Sequence, residues 1–163
     1  MAILDILIYP DPALRVQCRD VTEFDDKLKK LLQDMFETMY SAKGVGLAAP
    51  QVGVPLKLFV AEWEGGRHVL ANPEIIEAEG SERTDEGCLS FPGIYEEVAR
   101  PNKIRILYHD ENGRRHDEVV EGFLARVFAH ETDHLNARLL IDHLSALKRT
   151  FLRKRMGKKA RSA

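Results

Sequence analysis

The first clear pattern in the chain is a stripe of apolar residues spaced as on a helix. Between residues 25 and 43 the apolar side chains follow one another at steps of three and four: Leu28, Leu31, Leu32, Met35, Phe36 and Met39. That spacing predicts an amphipathic helix. Asp25 or Asp26 can cap its first turn, and Gly44 can end it.

The middle of the chain has the composition of β-strands. Four strands are predicted: Leu56–Glu62, Arg67–Ala78, Lys103–His109 and Arg115–Val120. The turn-forming dipeptides that separate them are Gly65-Gly66, Pro92-Gly93 and Asn112-Gly113. Because a type I′ turn needs positive φ at both central residues, Asn112-Gly113 predicts an antiparallel hairpin between the last two strands.

Two further helices follow the strands. The segment Gly122–Leu135 returns to helical spacing and is polar on one face only, so we expect it to be buried against a sheet. A third helix begins near Ser145 and runs into the C-terminal segment. This order of elements indicates an α+β fold rather than an alternating βαβ fold. We expect mixed, mainly antiparallel sheets around a central buried helix, with an N-terminal amphipathic helix and a C-terminal helix.

Composition narrows the class of protein. The 163 residues suit one domain, and 44% apolar with 31% charged residues excludes a disordered chain. No stretch approaches the ~18 apolar residues of a membrane span. The opening MAILDILIYP carries Asp5 and lacks the basic start of a signal peptide. With only two cysteines, free thiols in a reducing compartment are favoured, so we expect a cytoplasmic protein without a membrane partner.

The formal net charge of −2 hides an uneven distribution. Residues 148–163 hold eight of the 24 basic residues and no acid, which leaves 16 basic against 26 acidic residues in 1–147. We therefore divide the chain into one catalytic domain, 1–147, and a basic C-terminal helix or tail, 148–163. Such a basic segment favours RNA or another polyanion, although a solvated terminal helix explains it as well.

The strongest chemical signal is the sequence His130-Glu131-Thr132-Asp133-His134 on the second predicted helix. Residues four apart differ by ~40° around a helix axis, so both imidazoles project from one face and can bind one ion. This spacing is typical of metal hydrolases. The alternative is a chance match between two ordinary, partly buried histidines.

A catalytic metal site usually needs a third protein ligand and an open position for water. Asp142 and His143 lie downstream, but their spacing is unpersuasive. Cys88, at the end of a strand and before the Pro92-Gly93 turn, is the better candidate, because a thiolate binds Fe²⁺ or Zn²⁺ strongly. The alternative for Cys88 is a small buried core residue, which is the interpretation we give Cys18.

A third motif is GVGLAAPQVG at residues 44–53. Its small residues let the backbone approach a ligand closely, and the side-chain amide of Gln51 could donate a hydrogen bond to a developing oxyanion. A helix end followed by a tight loop also explains Gly44 and Gly46.

In this order, GVGLAAPQVG, EGCLS and HETDH resemble the three signature motifs of the peptide deformylases, enzymes that remove the N-formyl group from nascent bacterial-type polypeptides. The stretches ILIYPDPALR, QDMFETMY and NPEI are similar to that family too, and the resemblance covers residues 3–147. The competing hypotheses are a zinc endopeptidase, which would need another third ligand, and an inactive relative that only binds RNA or the ribosome.

The resemblance implies a role for each motif residue. Cys88, His130 and His134 would bind one divalent ion per chain, Fe²⁺ in the cell with Zn²⁺ or Ni²⁺ as other possible occupants. Glu131 would move the proton, and Gln51 with the Leu89 N–H would stabilise the oxyanion. The formylmethionyl peptide would contact these residues: Val45, Gly46, Gly87, Phe123, Arg126 and Val127. A basic C-terminal segment resembles the part that docks some members on the ribosome; no DNA partner is expected.

Three residues depart from the usual family pattern. Ala129 stands in place of a Gln, and Ala137 in place of a Gly, neither of which removes a chemical group. Arg126 occupies a usually apolar position on the face that carries His130. We expect its stem to pack while the guanidinium reaches the pocket mouth; the alternative is that Arg126 narrows or polarises the pocket, or pairs with Glu86 or another acid.

Overall fold

The computed structural model describes residues 2–162, and at 159–162 it describes the helix without its side chains. Within those residues there are three helices: α1 Asp26–Ser41, α2 Gly122–Leu135 and α3 Ala146–Ser162. The strands are β1 Gly46–Ala48, β2 Leu58–Trp63, β3 Gly66–Glu79, β4 Glu82–Cys88, β5 Phe91–Arg100, β6 Lys103–His109 and β7 Arg115–Glu121. Three 3₁₀ turns complete the chain: Pro12–Arg15, Ala49–Val52 and Leu140–His143. The predicted α+β class is confirmed.

Two antiparallel sheets form the framework. Five strands make one sheet in the order β1-β2-β3-β6-β7, and β4 pairs with β5 in a second, two-stranded sheet. Alternate residues of β2 belong to different cores: Phe59 and Ala61 pack with residues of α2, whereas Leu58 and Val60 pack with residues of α1. The larger sheet is therefore covered by a helix on each face.

Helix α2 lies between the two sheets. Its Phe128 ring packs against Phe59 of the larger sheet with 5.5 Å between centroids. On its other side Arg126 donates hydrogen bonds to the carbonyls of Glu82 in β4 and Val98 in β5. Both the bounds of α2 and its burial agree with the sequence prediction.

The strand expected to end at Cys88 is β4, whose bounds were not predicted; β5 was not predicted, because Pro92-Gly93 was interpreted as a separator. Pro92 is the second residue of β5, and proline is tolerated near the start of an edge strand, where it removes no ladder hydrogen bond. The predicted hairpin between β6 and β7 is confirmed, but the predicted type I′ turn is wrong. Only Gly113 has positive φ in the loop, whose Asp110 N–H donates to the Arg114 carbonyl across three intervening residues.

The start of α1 agrees with the prediction, whereas its end does not. A carboxylate oxygen of Asp25 accepts the Leu28 N–H at 3.0 Å. At the other end the left-handed residue is Lys43, with φ 58°, and Gly44 follows it outside the helix. Gly44 is therefore required for something other than ending α1.

The C-terminal helix is attached to the rest of the protein. Leu152 and Met156 of α3 are buried in one cluster with Phe91 of β5 and Leu140 of the last 3₁₀ turn. Among the described residues, no helix combines the length and the apolar character that crossing a membrane requires.

Candidate active site

Three metal-binding side chains converge from two elements. Cys88 ends β4, and His130 and His134 lie on successive turns of α2. Cys88 Sγ is 3.4 Å from His134 Nε2, which is 3.3 Å from His130 Nε2. Tetrahedral bonds of ~2.1 Å to nitrogen and ~2.3 Å to sulfur would require separations of about 3.6 Å between sulfur and nitrogen and about 3.4 Å between the two nitrogens. The donor set therefore fits one divalent ion.

The downstream candidates for the third ligand are engaged elsewhere. Asp142 accepts two hydrogen bonds from Arg15, at 2.8 and 2.9 Å. His143 Nε2 is hydrogen-bonded to Asp133 at 2.7 Å. The structure thus brings Cys88, and neither of these residues, to the histidine pair.

Glu86 orients the first histidine. His130 Nδ1 donates to the Glu86 carboxylate, which leaves Nε2 with its lone pair directed toward Cys88 and His134. Arg100 holds that carboxylate with two hydrogen bonds, from Nε at 3.0 Å and from Nη2 at 2.8 Å. Sequence reasoning gave Glu86 no role at the metal; its place two residues before Cys88 on the same strand was the available signal.

The same carboxylate belongs to a buried ionic network. Arg100 also bonds Asp133, with 2.6 Å between Nη1 and Oδ2. Burial alone would raise the pKa of Glu86, but the hydrogen bonds from His130 and Arg100 outweigh it and lower that pKa to about 2. Glu86 is therefore a fixed negative partner for His130 at neutral pH.

Glu131 lies in the cavity with one unused carboxylate oxygen. Its side chain is 4% exposed, and among the described residues Oε1 has no hydrogen-bond partner. Burial, opposed by His130, raises the pKa of Glu131 to about 7. A carboxyl group that titrates near neutral pH can both accept and release a proton.

Two glycines of the first motif allow close approach. A Cβ on Gly46 would lie 2.5 Å from Glu131 Oε2, and a Cβ on Gly44 would lie 2.8 Å from a Leu89 methyl carbon. Both separations are shorter than any real contact between such atoms. A helix end does not explain these glycines; they make room for Glu131 and Leu89.

Gln51 is fixed beside the thiol. Its Oε1 accepts the Ala48 N–H at 2.9 Å, so Nε2 points the other way. That nitrogen donates to Ser90 Oγ at 3.1 Å and lies 3.7 Å from Cys88 Sγ. The amide is buried, so its N–H groups are held in one direction.

A cavity of about 510 Å³ opens in front of these groups. Its walls include every residue expected to contact the peptide: Val45, Gly46, Gly87, Phe123, Arg126 and Val127. Gln51, Cys88, Leu89, His130 and Glu131 also line it, whereas His134 lies behind. Tyr95, which the sequence did not single out, forms another wall; its ring lies over Gly87, where a Cβ would come within 2.7 Å.

Arg126 does not reach the pocket mouth, so that expectation is wrong. The residue is only 8% exposed. Its Nη1 donates to Glu86 Oε2 at 3.2 Å, which confirms the alternative of a pair with Glu86. The backbone carbonyls of Val98 and Glu82 accept its other hydrogen bonds, at 3.1 and 2.6 Å. These three acceptors offset the cost of burying the guanidinium.

A helix-borne histidine pair that meets a cysteine beside an unpartnered buried glutamate defines a metal-dependent hydrolase. Comparison with known proteins gives the family. Residues 3–150 match the sequence pattern of the family described as polypeptide deformylase. The chain belongs to that family, whose activity is removal of the N-formyl group from nascent polypeptides. The endopeptidase and the inactive relative are not supported.

Individual relatives agree along nearly the whole chain. The peptide deformylase of Alkalilimnicola ehrlichii is 48% identical over 165 residues, which cover 99% of this chain and 93% of the relative. The crystal structure of a peptide deformylase from Legionella pneumophila has a TM-score of 0.93 and 44% identity, covering 98% of this chain and 96% of that one. The Ehrlichia chaffeensis peptide deformylase in complex with actinonin has a TM-score of 0.93 and 37% identity, covering 98% of each chain.

Proposed function

We propose that the cavity is the deformylase active site and that Cys88, His130 and His134 hold its single divalent ion. The spacing of the three donor atoms is the observation that carries the assignment. When bound, the ion supplies Lewis acidity, which acidifies water and polarises the formyl carbonyl. Glu86 keeps His130 in the tautomer that can bind it.

Glu131 moves the proton. Its carboxylate accepts a proton from the water that attacks the formyl carbon. The same carboxyl group then gives that proton to the amine nitrogen as formate leaves. The pKa of about 7 suits both halves of this transfer.

Gln51 and Leu89 stabilise the negative charge that develops on the formyl oxygen. The Gln51 amide is already held by Ala48, so its Nε2 needs little reorganisation to donate. The backbone N–H of Leu89, next to Cys88, supplies the second donor. The peptide itself lies along Val45, Gly46 and Gly87, with its methionine side chain directed toward α2.

Formate release from a formylmethionyl peptide tests this proposal. We propose Fe²⁺ as the ion in the cell, because a thiolate with two imidazoles suits it, with Zn²⁺ or Ni²⁺ as replacements. Protein purified without oxygen should contain about one iron per chain and release formate, and exposure to air should reduce both. Stoichiometric metal without formate release would overturn the proposal.

We also propose that the protein acts in the cytoplasm at the ribosome, through the basic segment 148–163. Arg153, Lys154 and Arg155 are exposed on α3, while Leu152 and Met156 attach the helix to the core. Because α3 begins at Ala146 and packs against the domain, residue 147 does not separate two structural units. The division that we propose there separates the catalytic part of the chain from the part that binds RNA. Repeated phosphate contacts would make binding to ribosomal RNA steeply dependent on salt.

Charge removal tests the ribosome proposal without disturbing the core. Deleting residues from Met156 onward would remove a buried side chain, so we prefer the triple substitution Arg153→Gln, Lys154→Gln and Arg155→Gln. It should lower the salt slope of ribosome co-sedimentation by about 2 and leave hydrolysis of a short peptide intact. The matched control is Lys27→Gln, Lys29→Gln and Lys30→Gln on α1. Equal slopes for the two variants would refute the proposal.

A further inference from the structure

Arg126 places a cationic group in the wall of the cavity. It lines the cavity between Phe123 and Val127 on the same helix, yet is only 8% exposed. Most buried arginines use their N–H groups within the protein. Any N–H group of Arg126 that has no acceptor within the protein is therefore available to a ligand.

The hydrogen bonds of Arg126 leave two N–H groups unused. A guanidinium has five, and Glu86, Val98 and Glu82 accept three of them. Within the described part of the chain, no acceptor meets the Nε–H or the second N–H of Nη2. Nε is not sealed from solvent either, since it is absent from the fully buried atoms without partners.

The guanidinium is also immobile. Its three acceptors belong to β4 and β5, at Glu82, Glu86 and Val98, and they hold it from one side. Arg100 also donates hydrogen bonds to both oxygens of Glu86. The negative charge of Glu86 is therefore shared between two arginines and does not fully neutralise Arg126. The cavity thus has an apolar wall with fixed cationic donors set into it.

We propose that Arg126 selects the substrate side chain by donating an N–H to the thioether sulfur of the formylmethionine. This inference rests on the proposed function. The sulfur lies five covalent bonds from the formyl carbon, about 6 Å when extended. Arg126 lies four residues before His130, ~6 Å along the helix axis, and both residues line the cavity from successive turns of α2. Sulfur is a weak but polarisable acceptor, and a charged donor strengthens such a bond.

Norleucine separates this contact from simple apolar packing. It replaces the sulfur by a methylene group of similar size, so a purely apolar pocket would bind norleucine at least as well as methionine. We therefore compare kcat/KM for two formyl peptides that differ only in this residue. The wild-type protein should prefer methionine by about 3- to 10-fold, the range of one modest hydrogen bond.

Substitution of Arg126 should remove the preference. In Arg126→Ile the ratio should fall to about 1 or below, because the donor is lost while an apolar side chain remains. The ratio is taken within one variant, so a partial loss of metal or of folded protein cancels. The control Val127→Ala changes the same wall and keeps the donor; it should slow both substrates and preserve the preference. An unchanged ratio in Arg126→Ile, or loss of the preference in Val127→Ala, would overturn the proposal.

Binding provides a readout that does not depend on turnover. Trp63, the only tryptophan, contacts the tilted ring of Phe123 in the cavity wall with 4.3 Å between ring centroids, so its fluorescence should report occupancy. The deformylated methionyl peptide should bind about 3- to 10-fold more tightly than its norleucyl counterpart. If wild type binds and hydrolyses both equally, the Arg126 proposal fails alone. If wild type releases formate from neither peptide, the proposed function fails and this inference with it.

Discussion

Helices α2 and α3 were both predicted from the sequence, yet they use their polar residues in opposite ways. In α2 five polar side chains are buried: Arg126, His130, Glu131, Thr132 and His134. In α3 the charged residues face outward and only Leu152 and Met156 are buried among its described side chains. Burying polar groups costs free energy unless they gain partners, so α2 is stable only within a specific constellation. The expectation is large, specific effects at the polar residues of α2, and on α3 small, electrostatic effects at the charged residues, with its attachment depending on Leu152 and Met156.

The largest effect should come from removing Cys88, the proposed ligand that meets α2 from β4. Cys88→Ala should lose its bound metal, and with it formate release, because two histidines alone leave the site one protein ligand short. Cys18→Ala is the matched control: it also removes a free thiol, but Cys18 lies outside the cavity. Elemental analysis of both variants checks this. Full metal content in Cys88→Ala would show that another residue completes the site.

Glu131→Gln should separate chemistry from metal binding. The amide keeps the shape of the side chain but cannot accept the proton, so kcat should fall by about 10²–10⁴. Metal content should remain at the wild-type level, since Glu131 is not a proposed ligand. Rapid formate assays with parallel metal determination measure both quantities, and a variant with near-normal kcat would remove Glu131 from the mechanism.

Gly46→Ala should impair catalysis through the position of Glu131. The added Cβ would need the space 2.5 Å from Glu131 Oε2, and a displacement near 1 Å can cost about 10² in rate. Gly66→Ala is the control, because a Cβ there would meet its nearest neighbour at 3.5 Å and the residue has no positive φ. Similar losses in the two variants would point to general damage rather than to Glu131.

These residues show what the sequence could and could not predict. Helical periodicity gave α2 with its bounds, and the four-residue step placed His130 and His134 on one face. The start of β4 and the whole of β5 were missed, because the two strands form a mostly exposed pair and Pro92-Gly93, near the start of β5, was interpreted as a turn. The burial of Arg126 and the hydrogen bond from His130 to Glu86 depend on how β4 packs against α2. No local sequence pattern encodes how closely two elements so far apart in the chain approach each other.

On α3 the apolar and charged positions should respond differently. Met156→Ala should lower the free energy of unfolding by about 2–5 kcal/mol, because the side chain is fully buried beside Leu140. Arg153→Ala, at an exposed position, should change it by no more than about 0.5 kcal/mol. Urea denaturation checks both values. Equal, small effects would mean that α3 is not attached through its apolar residues.

A small gain in stability is expected just beyond the end of α2. Ala137 has φ 59°, a left-handed conformation that costs a residue with a Cβ ~1–2 kcal/mol. Ala137→Gly relieves that strain but gives the unfolded chain more conformational freedom, which lowers the free energy of unfolding by about 0.5–1 kcal/mol. The net result should be a gain of about 0.5–1 kcal/mol in the free energy of unfolding, with kcat/KM unchanged. Ala129→Gly, inside α2, is the control and should destabilise by about 1 kcal/mol; a loss of stability in both variants would show that Ala137 is not strained.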